Sequence, residues 1–236
     1  MRLTVIFDKR AEGPLHTGWG LACLADGGVL FDTGEDGGML TGNMKSLGID
    51  PRGLKSVVIS HDHWDHTGGL RDIMKASPGI EVYVCPGVSK RLKEEIRASG
   101  GVAKEAEVPA EITEGVFVTG EIAGRYRNSY MAEQALVVRT EKGASVITGC
   151  AHPGIVKIVR TVKEKFALKE LYLVAGGFHL RDITLSEAGE VARRLREMGV
   201  KKAGPTHCTG DAQEGVFRKL YGQDFITLKA GTILDL

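Results

Sequence analysis

One hexapeptide of the chain, residues 61–66, carries the four side chains of a His-x-His-x-Asp-His pattern, each of which can bind a metal ion. It reads His61-Asp62-His63-Trp64-Asp65-His66 and holds three of the seven histidines in the sequence. It directly follows an apolar run, 57–59, that is typical of a buried strand. Imidazole nitrogens and a carboxylate presented from one turn suit Zn²⁺, as one ion or as two ions side by side. The hexapeptide therefore predicts a metal site.

Three further histidines share one placement, a glycine-containing turn directly after a strand-like segment. They are His152, His179 and His207. Functional sites of α/β folds gather where strands end. We therefore expect six of the seven histidines to lie close together. The seventh, His16, has no such placement and is not predicted to bind metal.

The spacing within the hexapeptide divides the donors between two ions. Side chains two residues apart do not face one another on a helix, but in an extended turn they can, so His61 and His63 are expected to share one ion. His152 would complete three protein ligands and leave a position for water, as in a catalytic zinc site. A second ion would be bound by the remaining donors, which are Asp65, His66 and His207. Two ions roughly 3.5–4 Å apart can hold a bridging hydroxide near neutral pH as a nucleophile.

Apolar periodicity predicts strands that alternate with helices. The predicted strands are 2–7, 20–25, 28–32, 55–60, 80–85, 115–119, 135–140, 144–148, 170–175 and 225–228. Helices are predicted over 154–166 and 184–198, and a third begins at Pro86 and ends near residue 100. This alternation predicts a layered α/β fold with sheets inside and helices outside. We expect one domain over 1–236 with two similar halves, roughly 1–133 and 134–236.

Composition and charge narrow the class of protein. The chain has 236 residues, 42% of them hydrophobic, and a net charge of +1 without a block of like charges. These values argue against a nucleic acid or a membrane as partner and favour a small-molecule substrate, with a homo-oligomer left open. The four cysteines form no CxxC pair, and no segment resembles a signal peptide or a membrane span. We therefore expect reduced cysteines and a cytoplasmic protein.

The histidine pattern resembles the signature of the metallo-β-lactamase superfamily, His-x-His-x-Asp-His followed by histidines at later strand ends. The resemblance also covers Phe31-Asp32-Thr33-Gly34 and Thr67-Gly68-Gly69. It implies a four-layer αβ/βα sandwich, the metallo-β-lactamase fold, and usually a hydrolase. The segments 149–156, 177–180 and 205–210 further resemble the branch of dihydropterin-ribofuranosylaminobenzene-phosphate synthase-like proteins. That branch implies a link to methanopterin-type cofactor synthesis.

One position departs from the superfamily pattern. Most members place a metal-bridging aspartate where this chain has Gly176-Gly177-Phe178-His179. His179 is expected either to replace that ligand or to face the substrate as a catalytic acid or base, since imidazole titrates near neutrality. Asp182 is a rival for the same position, and Asp65 is the second candidate for a catalytic role. The number of ions, one or two, stays open, as does zinc against manganese or iron.

Two acids and an aromatic residue near the hexapeptide have alternative interpretations. Asp32 is either a turn-capping carboxylate or a partner that orients a metal-bound imidazole. Asp62 is either such a partner or simply exposed. Trp19 either packs in the core or lines the rim of a pocket.

Three further segments carry reactive or charged groups without a clear role. Arg125–Tyr130 is either a solvated loop or a clamp for a phosphate and an aromatic ring. Glu133-Gln134 is expected at the surface. Cys150 and Cys208 are interpreted as small packing residues rather than nucleophiles.

The leading function hypothesis is a metal-dependent hydrolase or related transferase that uses metal-activated water on a small phosphate-bearing or pterin-like substrate. One alternative is an iron-dependent redox enzyme of the same fold. Another is a non-catalytic metal-binding protein, whose site would have no open position.

Overall fold

Two β-sheets that pack face to face form the centre of the computed structural model, which describes residues 1–236. The strands are β1 (Arg2–Phe7), β2 (Ala22–Ala25), β3 (Val29–Phe31), β4 (Ser56–Val58), β5 (Glu81–Val84), β6 (Val102–Glu105), β7 (Ala110–Thr113), β8 (Val116–Val118), β9 (Ile122–Tyr126), β10 (Ser129–Glu133), β11 (Leu136–Thr140), β12 (Gly143–Thr148), β13 (Leu171–Gly177), β14 (Val200–Thr206) and β15 (Ile233–Asp235). The helices are α1 (Gly37–Ser46), α2 (Trp64–Thr67), α3 (Leu70–Ala76), α4 (Lys90–Ala98), α5 (Ile155–Lys165), α6 (Leu185–Glu197) and α7 (Asp211–Tyr221).

The strand order brings the ends of parallel strands together. The first sheet has the order β15-β1-β2-β3-β4-β5-β6, and the second has the order β14-β13-β12-β11-β8-β7. Strands β3 to β6 run parallel, as do β12 to β14. Helices connect these parallel strands, as right-handed crossovers require. The carboxyl ends of each parallel group therefore lie at one edge of its sheet.

Alternating side chains of the strands build three apolar cores. In β3, Val29 and Phe31 enter the core between the two sheets, while Leu30 packs with helix residues such as Leu40 and Met74 on the outer face. The second sheet has a corresponding outer core with α5, α6 and α7. Burying an aliphatic side chain contributes about 1.5–3 kcal/mol. Helix, sheet, sheet and helix thus form four layers, and the predicted αβ/βα sandwich is confirmed.

One predicted strand is wrong, and several real elements were not predicted. Segment 225–228 forms only an isolated bridge between Phe225 and Ala203, at the outer edge of β14. Strand β14 itself escaped prediction because lysine, glycine and proline interrupt its apolar pattern.

The longest helix has 13 residues, and no helix is long and apolar enough to cross a membrane. All four cysteines are buried free thiols, as expected.

Candidate metal centre

The predicted ligands converge where the parallel strands of both sheets end. Residues 61–66 follow β4, and the later histidines follow β12, β13 and β14. The turns hold several non-glycine residues in the left-handed region, namely Asp32 (φ 57°), Ala151 (φ 62°), His179 (φ 52°) and His207 (φ 51°). Such conformations cost about 1–3 kcal/mol each and persist where the surrounding fold enforces them, often at functional sites.

Gly149 permits a close approach between the two sheets at this edge. A Cβ atom on Gly149 would lie 2.1 Å from Oγ of Ser60 and 2.9 Å from Oδ2 of Asp32. Because glycine has no Cβ, the end of β12 can pass beside the end of β4. This contact brings Cys150 and His152 next to the hexapeptide.

His61, His63 and His152 form the first donor set. Nε2 of His61 lies 3.1 Å from Nδ1 of His63, and that Nδ1 lies 3.3 Å from Nε2 of His152. Burial lowers the pKa of His61 well below its ordinary value and lowers the pKa of His152 to about 3. Burial also lowers the pKa of His63. The three imidazoles are therefore neutral near pH 7, which is the form that binds a metal ion.

Asp65, His66 and His207 form the second donor set. Oδ2 of Asp65 lies 3.3 Å from Nε2 of His207 and 3.5 Å from Nε2 of His66. Burial acts to raise the pKa of Asp65, but hydrogen bonds from the two imidazoles hold that pKa well below its usual range. The carboxylate is thus ionised and provides the negative charge that a divalent cation favours.

The distances within both sets match those between ligands of one small cation. Zinc lies about 2.0–2.1 Å from an imidazole nitrogen, so the nitrogens of a tetrahedral site are about 3.3–3.4 Å apart. Imidazole nitrogens and an ionised carboxylate are suitable ligands for zinc and other divalent transition metals. The two donor sets therefore fit divalent ions.

Asp32 connects the two donor sets through hydrogen bonds. Its Oδ2 lies 2.7 Å from Nδ1 of His66. The same oxygen accepts a hydrogen bond from the hydroxyl of Ser60, also at 2.7 Å. Oγ of Ser60 lies 2.9 Å from Nδ1 of His61. One buried carboxylate therefore orients an imidazole in each set and leaves the Nε2 atoms for metal. Of the two roles considered from the sequence, the structure favours the orienting one.

Glu133 and Gln134 are buried, which contradicts their expected surface position. Glu133 is 1% exposed, and its carboxylate accepts the backbone N–H groups of Cys150, Ala151 and His152 at 3.1, 2.7 and 2.6 Å. Burial raises the pKa of Glu133 to about 7, although these three N–H donors act to lower it. Glu133 thus fixes the turn that carries His152. No local pattern in the sequence marks this role, because the partners lie 17 to 19 residues away.

Cys150 lies among the metal-competent side chains rather than only among apolar ones. Its Sγ is 3.4 Å from Nε2 of His66 and 3.4 Å from Nε2 of His207. Its position two residues before His152 was the sequence signal that could have identified it. Asp62, by contrast, accepts the backbone N–H of Ser89 at 3.0 Å and orients no imidazole.

His179 lies beside the two donor sets and faces a cavity. Its ring centroid is 4.5 Å from that of His152, and its donor nitrogen lies within 4.8 Å of the sulfur atoms of Cys150 and Cys208. His179 and Asp182 both line the cavity. His179 therefore lies both beside the donor sets and at the surface of the cavity.

The cavity above the donor sets has a volume of about 530 Å³ and combines aromatic rings with positive charge. The guanidinium of Arg181 stands 5.5 Å from the ring centroid of Trp19, and that of Arg127 stands 5.2 Å from the centroid of Tyr126. Trp64, on the cavity wall, is 61% exposed. A cavity of this size suits a small organic molecule. Trp19 therefore lines the pocket, and the segment around Tyr126 is a β-hairpin turn that reaches it.

A four-layer αβ/βα sandwich with histidine-rich turns at the strand ends is the architecture of metallo-β-lactamase proteins. The family model described as the metallo-beta-lactamase superfamily matches residues 14–207, and the chain belongs to this superfamily. The chain is also 33% identical to the 7,8-dihydropterin-6-methyl-4-(beta-D-ribofuranosyl)-aminobenzene-5'-phosphate synthase of Methanocaldococcus jannaschii, over 87% of this chain and 83% of that protein.

Solved structures agree with this assignment. Tm1679, described as a metal-dependent hydrolase of the beta-lactamase superfamily, is 30% identical and superposes with a TM-score of 0.83, covering 100% of this chain and 99% of that one. The short form of human tRNase Z has a TM-score of 0.65 at 16% identity, covering 100% of this chain and 99% of that one. The second likeness shows the shared fold alone.

Proposed function

We propose that this chain is a two-metal hydrolase or related transferase that acts on a small substrate with a phosphate group and an aromatic, pterin-like ring. The observation that carries the proposal is the pair of donor sets on the floor of a cavity lined by arginines and aromatic rings. His61, His63 and His152 would bind one ion, and Asp65, His66 and His207 would bind the other. Divalent ions held by these residues would supply a hydroxide near neutral pH and would polarise the bond under attack.

The side chains of the cavity suggest how the substrate binds. Arg127 and Arg181 present guanidinium groups, which recognise phosphate through paired hydrogen bonds. Trp19 and Tyr126 provide ring faces against which a flat heterocycle can stack. The name of the similar synthase from Methanocaldococcus jannaschii includes pterin, aminobenzene, ribofuranosyl and phosphate groups. That likeness supports the same combination of groups for the substrate here.

The proposed reaction needs a side chain that donates or accepts a proton on the cavity side of the two donor sets. His179 is the residue we assign to this role, because it lines the cavity next to His152 and its Nδ1 and Nε2 atoms can hold or release a proton near pH 7. Asp65 would hold its ion and orient the attacking water with its carboxylate. Trp64 and Tyr126 line the same cavity beside these groups.

The test is turnover by purified, zinc-loaded protein with four substrates: a phosphodiester, a lactone, a thioester and a pterin phosphate. We expect turnover of the pterin phosphate, and a loss of about 10²–10⁴-fold in kcat for His179→Gln with bound metal unchanged. His16→Gln is the matched control, since His16 lies away from the donor sets. Turnover of the lactone or thioester alone would contradict the proposed substrate class. Absence of turnover with all four would contradict the proposed function.

A further inference from the structure

Cys150 occupies a position that the two-metal proposal does not use. It belongs to the turn after β12, is 3% exposed, and is held by the carboxylate of Glu133 through its backbone N–H. Its Sγ lies within 4.8 Å of the donor atoms of Asp65, His66 and His207, all of which also lie within 4.8 Å of one another. Sγ of Cys150 also lies within 4.8 Å of the donor atoms of His61 and His152, but the imidazole nitrogens at 3.4 Å are those of His66 and His207 in the second donor set.

The distances around Cys150 are those of a four-ligand site. Oδ2 of Asp65 lies 3.5 Å from Nε2 of His66 and 3.3 Å from Nε2 of His207, and Sγ of Cys150 lies 3.4 Å from each of these nitrogens. With zinc about 2.3 Å from sulfur and about 2.0–2.1 Å from nitrogen, sulfur and nitrogen ligands of a tetrahedron are about 3.5 Å apart. Four of the distances between the donor atoms of this group thus match those expected between the ligands of a tetrahedral zinc ion.

A packing role alone does not explain this arrangement. A thiol that only fills space would contact apolar atoms, whereas this sulfur has two imidazole nitrogens as neighbours at 3.4 Å. Its single proton can be donated to only one of them. Cys208, the next thiol along this edge, differs in this respect: it has one grouped imidazole, that of His179, within 4.8 Å, and its Sγ donates to the carbonyl oxygen of Cys150 at 3.6 Å.

We propose that Cys150 is a metal ligand: its thiolate is the fourth ligand of the ion bound by Asp65, His66 and His207. The S–H bond breaks when the metal–sulfur bond forms, and the proton leaves to solvent, so that the thiolate and the Asp65 carboxylate together balance the charge of a divalent ion. This site is then closed by protein ligands. The open position for water falls to the ion of His61, His63 and His152, which has three.

The sulfur ligand also sets the choice of metal. Thiolates favour zinc, iron and cobalt(II), whereas sites for magnesium and manganese are built from oxygen ligands. This inference rests on the two-ion centre of the proposed function, but its tests read the metal rather than turnover. A failure of the substrate assay therefore leaves them unaffected.

The first test is X-ray absorption of the zinc-loaded wild-type protein. We expect a sulfur scatterer at about 2.3 Å, with one sulfur for each pair of zinc ions. A zinc environment of nitrogen and oxygen alone would overturn the proposal. This measurement needs no variant, so it stands even if substitutions at Cys150 prevent folding.

The second test uses cobalt(II) and two matched variants. The wild type and Cys208→Ser should show a thiolate-to-cobalt charge-transfer band in the near ultraviolet, and Cys150→Ser should lose it. Cys150→Ser should also bind the second cobalt ion at least tenfold more weakly, while the first ion is retained. His63→Ala should lose the first ion and keep the band. A band that persists in Cys150→Ser, or that disappears in Cys208→Ser alone, would overturn the assignment.

Discussion

Oδ2 of Asp32 lies 2.7 Å from Nδ1 of His66, and both side chains are completely buried. The same carboxylate accepts a hydrogen bond from the hydroxyl of Ser60, and Oγ of Ser60 contacts Nδ1 of His61. A single carboxylate therefore fixes the ring orientation of one histidine in each donor set. The geometry of the candidate centre depends on this residue as much as on the ligands themselves.

Replacement of Asp32 by asparagine should weaken metal binding without removing a ligand. The amide carries no charge and cannot accept from His66 and Ser60 with the same strength, so both imidazoles lose their fixed orientation. Changes of this kind typically cost about 10–100-fold in metal affinity. Competition titration with a zinc chelator measures this. Asp62→Asn is the control, because Asp62 contacts only the N–H of Ser89. Equal affinities of the two variants would refute the role assigned to Asp32.

Replacement of Glu133 by glutamine should destabilise the turn that carries His152. Three backbone N–H groups converge on the carboxylate, and an amide offers one acceptor oxygen and places an N–H₂ group against the remaining donors. We expect a loss of about 1.5–3 kcal/mol in the free energy of unfolding. Urea denaturation measures this, with Glu141→Gln as an exposed control. An unchanged free energy of unfolding would show that the turn is held by other contacts.

Substitution of the cavity arginines should affect phosphate-bearing substrates selectively. Arg127→Ala and Arg181→Ala should each lower kcat/KM by about 10–100-fold for a phosphate substrate, since a hydrogen bond to a charged group contributes about 1.5–3 kcal/mol. The dephosphorylated analogue should lose little. Arg125→Ala is the matched control, because Arg125 donates to the carbonyl of Asn128 and does not line the cavity. An equal loss for both substrates would argue against phosphate recognition.

Stability should depend on pH through Asp8, whose carboxylate is not a member of either donor set but contacts Thr206, the residue before His207. Asp8 is completely buried and accepts from Oγ1 of Thr206 at 2.6 Å and from the backbone N–H of Lys9 at 2.8 Å. Burial raises its pKa from 3.8 to about 6, so the folded state retains a proton that the unfolded chain releases. The contribution of protonated Asp8 to the free energy of unfolding is therefore complete below pH 3.8 and is lost as the pH rises to about 6.

Asp8→Asn should remove this dependence. In metal-free protein, the variant should gain relative stability between pH 4 and 6, reaching a difference of about 3 kcal/mol that stays constant at higher pH. Urea denaturation at several pH values gives the comparison. If the stability of the two proteins changed with pH in the same way, folding would not raise the pKa of Asp8.

The sequence predicted those parts of the fold and site that depend on local patterns. Apolar runs such as 144–148 located most strands, and placement after strand ends selected the histidines that converge. Strand β6 could not be found in this way, because it is an exposed edge strand with few apolar side chains. Segment 225–228 looked like a strand, yet it meets β14 at only one residue pair.

The supporting residues of the centre could not be predicted, because their roles arise from distant contacts. Glu133 looks like a surface residue until the fold places the turn at 150–152 above it. In the sequence, Cys150 looks like a small packing residue. Its neighbours, His66 and His207, are known only from the fold, which brings three strand ends together at one edge. Asp32 had two equal interpretations until His66 was seen 34 positions away in the sequence but in direct contact.

The most direct test of the two-ion centre is the metal content of the protein as purified, measured by elemental analysis. We predict about two divalent transition-metal ions per chain, about one ion in His207→Ala, and about one ion without turnover in the double variant His61→Ala/His63→Ala. His16→Ala should retain both ions. Protein without bound transition metal, or a double variant that keeps both ions and full activity, would contradict the account.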